Sequence, residues 1–295
     1  MMRNLYQEVS ERIAHELETG VLPWVQPWSQ TPGRNMSVNA VSNRPYSGCN
    51  AFLLWMLKRP NPRYLTFKQA KEAGGTVRKG EHGVPVYFVK FLYRRGDKMK
   101  DGRIATGNVS MLRQYTVFNV AQCDGLPEKI VHGPDGAAPT VAPNPDERDA
   151  SIDEFVVATG AAVREDGGAA RYVPSVDYIG MPKFATFHGA SHYYATLFHE
   201  LGHWTGHKSR LDREFGKRFG DNAYAAEELV AELTSAFLCA EFNVDGELRH
   251  AGYIQNWIKL LREDNKAFFT AASAAQKAAD FLRGVVIAEP QQEAA

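Results

Sequence analysis

The run Tyr193-Tyr194-Ala195-Thr196-Leu197-Phe198-His199-Glu200-Leu201-Gly202-His203-Trp204 decides how the rest of the chain is read. It is largely apolar and contains one H-E-x-x-H pattern. Residues four apart share a helix face, so His199 and His203 point at the same spot. Two neutral imidazoles so placed begin a zinc site. Glu200 stands beside the first of them, close to a metal without ligating it. That suits a general base acting on a metal-activated water. The competing reading is a helix with two core or solvated histidines. The apolar setting and the specificity of the pattern favour the metal.

A catalytic zinc takes three protein ligands and leaves one position open. One source of the third ligand would be the longer pattern H-E-x-x-H-x-x-G-x-x-H. Gly206 falls where its glycine would be, but Ser209 occupies the last position and His207 comes two residues too early, so that version fails. The other source is a second helix. Ala225 to Leu238 is helical by composition, with Leu229, Leu233, Ala236 and Phe237 as its apolar stripe. Glu228 and Glu232 are four apart on one face. In proteases of the thermolysin kind a Glu on such a helix binds the metal. Glu228 is therefore read as the third ligand. Glu232 is read as the group that orients a ligating His through its other ring nitrogen. Glu227 and Glu232 stand as alternative ligands, and a solvated acidic face is the bland alternative to all three. Zn2+ is the expected ion, with Mn2+ or another divalent metal as the alternative. His207, His192 and Tyr194 lie near enough in sequence to steady an oxyanion, although a structural role fits each better.

The chain has 295 residues, enough for two ordinary domains. Its 44% hydrophobic and 23% charged residues are ordinary for a water-soluble globular protein. No apolar run approaches membrane-helix length. Met1 to Leu17 is amphipathic and carries Glu8, Glu11 and Glu16, unlike a signal peptide. Cys49, Cys123 and Cys239 are odd in number and far apart, so neither a disulfide framework nor a cysteine metal cluster is suggested. A cytoplasmic location without membrane partners is the expectation. The net charge of zero hides an asymmetry. Residues 1–125 hold 18 of the 34 Lys and Arg but 9 of the 34 Asp and Glu. The remainder holds 16 basic and 25 acidic residues. A basic half joined to an acidic half suggests that the first half alone meets a polyanion.

Along the chain, Leu5, Val9, Ile13 and Leu17 mark an amphipathic helix closed at Gly20. The Leu22-Pro23-Trp24-Val25-Gln26-Pro27-Trp28 segment is an extended loop whose two Trp rings are core anchors or stacking faces. Helices are expected over Ala51 to Leu57, with Asn50 as a cap, and over Thr66 to Ala73, with Thr66 at its start. Strands are expected at Val84 to Phe91 and Leu112 to Val120, joined by a charged excursion from Arg94 to Asn108. In the second half a helix spans Ile152 to Thr159. Short strands follow near Ala162-Val163-Arg164 and Arg171-Tyr172-Val173-Pro174, then an edge segment at Tyr178 to Pro182. Ser191 is a plausible cap for the helix of the H-E-x-x-H pattern, which Gly206 ends. Further helices are expected over Tyr253 to Leu261 and Lys266 to Leu282.

The expected fold class is α+β: a small mixed N-terminal domain at 1–125, then a largely helical domain with a small sheet at 151–290. Residues 126–150, with Pro127, Pro134, Pro139, Pro143 and Pro145, read as a linker between them. In the first half basic side chains alternate with rings. Single-stranded nucleic acid is held by this combination, a basic groove tracking phosphates and rings stacking on bases. The candidates are Arg34, Arg44, Tyr46, Lys68, Arg78, Lys79, Lys90 and Arg94, with Phe67, Tyr87, Tyr93 and Arg95 among them. No helix-turn-helix or Cys/His finger appears, so base-specific duplex reading is not implied.

Several motifs together resemble a known family. They are Pro23-Trp24 with Pro27-Trp28, Asn43-Arg44-Pro45-Tyr46-Ser47-Gly48 with Asn50, Leu65 to Ala70, and Val77-Arg78-Lys79-Gly80-Glu81. In the second half they are His199 to His207, Ser209-Arg210-Leu211, Tyr224 to Glu232, Tyr253 to Trp257, and Ala275 to Asp280. Over nearly its whole length the chain resembles the ArdC-type antirestriction proteins of conjugative plasmids. The resemblance implies an N-terminal single-stranded DNA-binding domain and a C-terminal zincin-like metallopeptidase domain with an unidentified protein substrate. It also implies a role in shielding plasmid DNA from host restriction after conjugative entry. Single-stranded DNA is the expected partner, double-stranded DNA the second candidate.

Overall fold

The computed structural model describes residues 5–24, 36–94, 107–133, 147–214, 222–245 and 251–284, and of 5, 89–94, 107–112, 251 and 252 the backbone alone. In chain order its elements are α1 (Leu5–Glu18), β1 (Val38–Asn39), α2 (Cys49–Trp55), β2 (Arg63–Thr66), α3 (Phe67–Glu72), β3 (Thr76–Val77), β4 (Val84–Arg94), β5 (Gly107–Asn119), β6 (Cys123–Asp124), α4 (Glu128–Val131), α5 (Ala150–Ala158), β7 (Ala162–Glu165), β8 (Arg171–Val173), β9 (Tyr178–Met181), α6 (Ala190–Thr205), α7 (Asn222–Phe242), α8 (Ala251–Glu263) and α9 (Ala267–Leu282). This is the expected α+β class. Among the described residues no helix is long and apolar enough to cross a membrane.

The chain forms two compact units. One comprises Met1–Met36, Ser47–Pro60 and Ala137–Ala295; the other comprises Ser37–Tyr46 and Asn61–Gly136. Their limits differ from the expected boundary at residue 125, because α1 and α2 belong to the helical unit. The reason is apolar. The α1 stripe buries Val9, Ile13 and Leu17, Tyr6 meets Phe269 of α9 edge-on at 4.8 Å, and Ser10 Oγ donates to the Asn265 carbonyl at 2.9 Å. Phe52 of α2 packs 4.7 Å from Phe237 of α7 and 5.9 Å from Phe268 of α9. Each such side chain contributes roughly 1.5–3 kcal/mol on burial.

The smaller unit is built on a sheet of order β1-β2-β5-β4. The β-branched and aromatic run of β4 pairs antiparallel with β5 from Val84↔Val117 to Arg94↔Gly107. Thr66 caps α3 through a capping box with Gln69, as its position suggests. Ala40, Leu65, Ala70, Val120 and Ile130 form the core, with Leu126 against it. The first part of the expected linker packs into this unit. Ile130 fills the core of this unit, and the buried Arg63 guanidinium donates to the Ile130 and Ala40 carbonyls, both at 2.7 Å. Residues 134–146 of that stretch lie outside the described residues. Its end is also ordered: Asp149 caps α5 by accepting from the Ser151 and Ile152 amides.

In the helical unit α6 lies against α7. A core of Ile179, Met181, Tyr193, Tyr194, Phe198, Leu201, Leu238 and others joins them to α5 and the sheet β7-β9-β8. The Tyr178 segment is the centre of that sheet rather than its edge, because Ile179 and Met181 are fully buried. Two caps also differ from expectation. Gly189, at φ 98°, takes the α6 cap position and Ser191 falls in the first turn. Gly48 takes the α2 cap position, with Asn50 buried inside the helix. Gly202 sets the spacing of α6 and α7. A methyl group there would lie 2.9 Å from Ala231 Cα and 3.1 Å from the Ala231 carbonyl oxygen. Ser235 Oγ adds a hydrogen bond of 2.9 Å to the Ala195 carbonyl.

Candidate functional site

The close approach at Gly202 brings the polar face of α7 against the H-E-x-x-H turn of α6. His199 and His203 present their Nε2 atoms to each other at 3.1 Å. The Glu228 carboxylate faces both, with Oε2 3.4 Å from His199 Nε2 and Oε1 3.6 Å from His203 Nε2. One donor atom from each of these three residues lies within 4.8 Å of the others. The two Nδ1 atoms turn the other way, each toward a buried carboxylate. His203 Nδ1 lies 3.2 Å from Glu227 Oε1, and His199 Nδ1 lies 3.5 Å from Glu232 Oε2.

The two flanking carboxylates are not equivalent. Glu227 is clamped by Arg213, whose Nε donates to Oε2 at 2.9 Å and whose Nη2 donates to Oε1 at 2.8 Å. Arg213 is itself fixed on the Gly202 carbonyl and Thr205 Oγ1. A bidentate guanidinium of this kind cancels the carboxylate charge, so Glu227, one of the alternative ligands, is a partner of Arg213 and His203. Glu232, the other alternative, is 1% exposed and lies on the Nδ1 side of His199. Of the three acidic candidates, Glu228 is the one facing both Nε2 atoms.

Electrostatics mark the cluster as a place for positive charge. Burial alone would push the His199 ring down, but Glu228 and Glu232 overcome it and raise the ring to about 10. His203 is likewise lowered by burial and raised by Glu227 and Glu228, to about 8. Burial opposes ionisation of Glu228, yet the two imidazoles hold its carboxyl well below the usual range. The donor set fits a divalent cation: two imidazole nitrogens and a carboxylate converge, and protons on the rings meet the same electrostatic demand when no ion is bound.

The triad opens into a cleft of about 420 Å³ lined by Tyr172, Thr196, His199, Glu200, His203, Tyr224, Glu228 and Tyr253, among others. Glu200 is buried in its wall. Tyr224 and Tyr253 share a hydrogen bond of 3.2 Å. Burial raises both phenols, so both are protonated at neutral pH. Both open motif stretches named above for the resemblance, but sequence reading gave neither a chemical role, since a Tyr at helical spacing carries no chemical signature. The histidines and Tyr194 considered beside the motif do not line this cleft. Tyr194 is a core residue whose hydroxyl donates to Asp153 at 3.0 Å, and His207 pairs with Ser209.

In the smaller unit the nucleic-acid candidates separate. Arg44, Lys68, Arg78 and Lys79 are exposed. Lys68 lies 3.6 Å from Glu72, and Arg78 is held by Glu81, Asp124 and the Ala121 carbonyl. Tyr46, expected among the contacts, is 6% exposed and edge-on to Tyr64 at 6.5 Å, so its ring belongs to the packing. Tyr87 is buried as well, whereas Phe67 stands exposed beside Phe118. Arg34, Arg95 and Trp28 lie outside the described residues, as do the side chains of Lys90, Tyr93 and Arg94. The structure adds a pair that the sequence reading passed over. Phe88 and Tyr115, 46% and 45% exposed, meet edge-to-face at 5.6 Å on the β4–β5 surface. Arg113, opposite Phe88 across the strands, is exposed too.

Comparison with known proteins places these features. Residues 3–118 match the N-terminal domain of anti-restriction factor ArdC, and residues 150–274 match a zincin-like metallopeptidase family. The metal-free crystal structure of the antirestriction protein ArdC from plasmid R388 superposes with a TM-score of 0.80 at 39% identity, covering 96% of this chain and 98% of that one. Its Mn(II)-bound structure gives a TM-score of 0.78. The uncharacterized protein y4eC of Sinorhizobium fredii is 37% identical over 290 residues, 95% of this chain and 91% of that protein. The DNA primase TraC of Escherichia coli is 37% identical over 297 residues, and the match spans 27% of its length. By sequence over both halves and by structure over nearly its full length, the chain belongs to the ArdC antirestriction protein family.

Proposed function

We propose that this protein binds single-stranded DNA and carries a divalent-metal peptidase centre, and that it protects incoming plasmid DNA from host restriction. The observation that carries the peptidase reading is the convergence of His199 Nε2, His203 Nε2 and Glu228, with Glu200 in the wall of the same cleft. His199, His203 and Glu228 would hold the ion, Zn2+ or, as the Mn(II)-bound R388 protein supports, Mn2+. A divalent ion there supplies Lewis acidity, which acidifies water and polarises a carbonyl. Glu200 takes the proton of the attacking water and returns it to the leaving amine. Tyr224 and Tyr253, protonated and in the same wall, donate to the carbonyl oxygen as it gains charge. Glu227 and Glu232 hold the imidazole rings in place. For the nucleic acid, the exposed Phe88 and Tyr115 rings with Arg113, Lys68, Lys79 and Arg44 support stacking and phosphate contact.

Glu200→Gln tests the chemistry. It keeps the donor triad, so the ion is retained at wild-type stoichiometry, while peptide hydrolysis falls by about 10²–10⁴-fold, the usual contribution of a general base. The same variant scored for survival of transferred plasmid DNA decides whether hydrolysis serves protection. Undiminished protection would leave a DNA-binding protective protein whose metal domain is structural. Metal content of Glu228→Ala against wild type checks the ligand set directly.

A further inference from the structure

The metal cluster is reached by a side chain from the far end of the sequence. Trp24 follows α1 in the Leu22-Pro23-Trp24 segment and is 1% exposed. Its ring packs edge-on against Trp257 of α8, 5.6 Å between centroids, and stacks on Phe268 of α9 at 6.5 Å. Its Nε1–H donates across 3.2 Å to Glu232 Oε1, a buried bond between residues 208 positions apart. The other oxygen of that carboxylate is the one 3.5 Å from His199 Nδ1.

We propose that Trp24 is a positioning residue of the metal centre, its indole N–H setting the rotation of the Glu232 carboxylate and, through it, the ring plane of His199. This rests on the reading of His199, His203 and Glu228 as a metal site. The terminal torsion of a Glu side chain has broad, shallow wells, so a carboxylate that must aim one oxygen needs its other oxygen held. An indole wedged between two aromatic rings is a rigid donor with no acceptor of its own. The parallel with His203 shows what the choice of donor does. Glu227, behind His203, is clamped by the cation Arg213, which cancels its charge. Glu232, behind His199, receives the N–H of the neutral Trp24, which orients the carboxylate without adding a counter-charge. Negative charge behind a ligating imidazole raises the basicity of that ligand.

The test uses the full chain, stripped of metal and titrated with Zn2+ against a chromophoric chelator. Trp24→Phe keeps the ring and deletes the N–H. Loss of a group that orients a metal ligand weakens affinity 10–100-fold, and about tenfold is expected here, one bond further out. Val156→Ala is the control: it trims the core between α5 and α6 and contacts neither Trp24 nor Glu232. It should lower the melting temperature and leave Zn2+ affinity unchanged. Combining Trp24→Phe with Glu232→Gln should weaken binding no more than Glu232→Gln alone, because the indole acts through that carboxylate. Unchanged affinity in Trp24→Phe, equal losses in Val156→Ala, or fully additive losses in the double variant would each overturn the proposal. Should Trp24→Phe fail to fold, the indole N–H resonance of Trp24 in the wild type, assigned through its contacts with Phe268, must shift on Zn2+ binding; a stationary signal overturns it equally. A wild type that takes up neither Zn2+ nor Mn2+ removes the metal reading and this proposal with it. A wild type that binds beside an unaltered Trp24→Phe removes this proposal alone.

Discussion

Where α6 meets α7, Glu200, Glu227, Glu228, Glu232 and two imidazoles sit buried or nearly so. On the β4–β5 surface Arg113, Phe88 and Tyr115 stand in solvent. Buried charge is costly unless paired, so most groups in this cluster point to another: Glu227 to Arg213, Glu232 to Trp24, both imidazoles to Glu228. Exposed charge carries no such obligation, and the same side chains could serve DNA or water alone. The interior cluster thus reports its own design, whereas the exposed surface does not.

Substitutions can break this contrast or sharpen it. Gly202→Ala should have the largest effect. Its methyl group would press on Ala231 Cα and carbonyl oxygen, backbone atoms with nowhere to move, at a cost toward the upper end of about 1–3 kcal/mol. The melting temperature should drop, and metal retention should weaken as Glu228 draws away from the imidazoles. An unaltered melt and unaltered metal content would mean the helix pair is not set by this contact. On the surface, Phe88→Ala or Tyr115→Ala should weaken binding of a labelled oligo-dT strand by about 1 kcal/mol, the low end for a stacked base. Metal content should not change. Arg113→Ala should instead flatten the salt dependence of that binding. Ring variants that bind as wild type would place the strand elsewhere.

The smallest effect concerns a pair at the cleft's outer side. Arg210 donates to Asp177 through Nη1 at 3.0 Å and also through Nη2, and Tyr172, which lines the cleft, donates to the same carboxylate at 2.8 Å. Hydrogen bonding from Arg210 is the main cause that brings the Asp177 carboxyl down to about 2. A depressed carboxyl stabilises the fold above its unfolded value and loses that contribution as pH falls through the folded one, so the loss runs from about pH 4 to about pH 2. Asp177→Asn, tolerated at the local φ of 51°, should make urea stability less dependent on pH in that window. The difference should stay below about 1 kcal/mol, since the carboxylate is part-exposed and screened. Parallel pH curves for the two proteins would show that the pair is neutral.

Much of the cleft was legible from spacing alone. His199, His203, Glu228 and Glu232 are placed by helical periodicity, and periodicity survives folding. Arg213 and Trp24 were not legible as partners, because they come from outside both helices and only the packing brings them there. Gly202 reads as a helix weakener until its neighbour Ala231 is seen. In the smaller unit the strands of β4 and β5 were plain from their β-branched and aromatic residues, but which rings face water was not. Tyr46 and Tyr87 look as available as Phe88 in composition, and burial alone separates them. The compact units also part from the expected boundary at residue 125, although the family matches break between residues 118 and 150: α1 and α2 are continuous in sequence with the strands that follow but bury their apolar stripes elsewhere.

That last point governs how the molecule can be divided. The match to the N-terminal ArdC domain ends at residue 118, and the zincin-like match begins at 150. Cutting between them would strand α1 and α2 with Ile13, Leu17, Phe52 and Trp55 bare, and would leave Phe237 and Phe268 uncovered on the other piece. The helical unit is a host whose chain departs twice, at Ser37–Tyr46 and at Asn61–Gly136, and returns each time. A dissection that respects its core would excise those two loops of chain and rejoin their ends, rather than snip once. The same layout bears on evolution by domain shuffling: the two halves can be exchanged between relatives only together with the aromatic seam that closes the host.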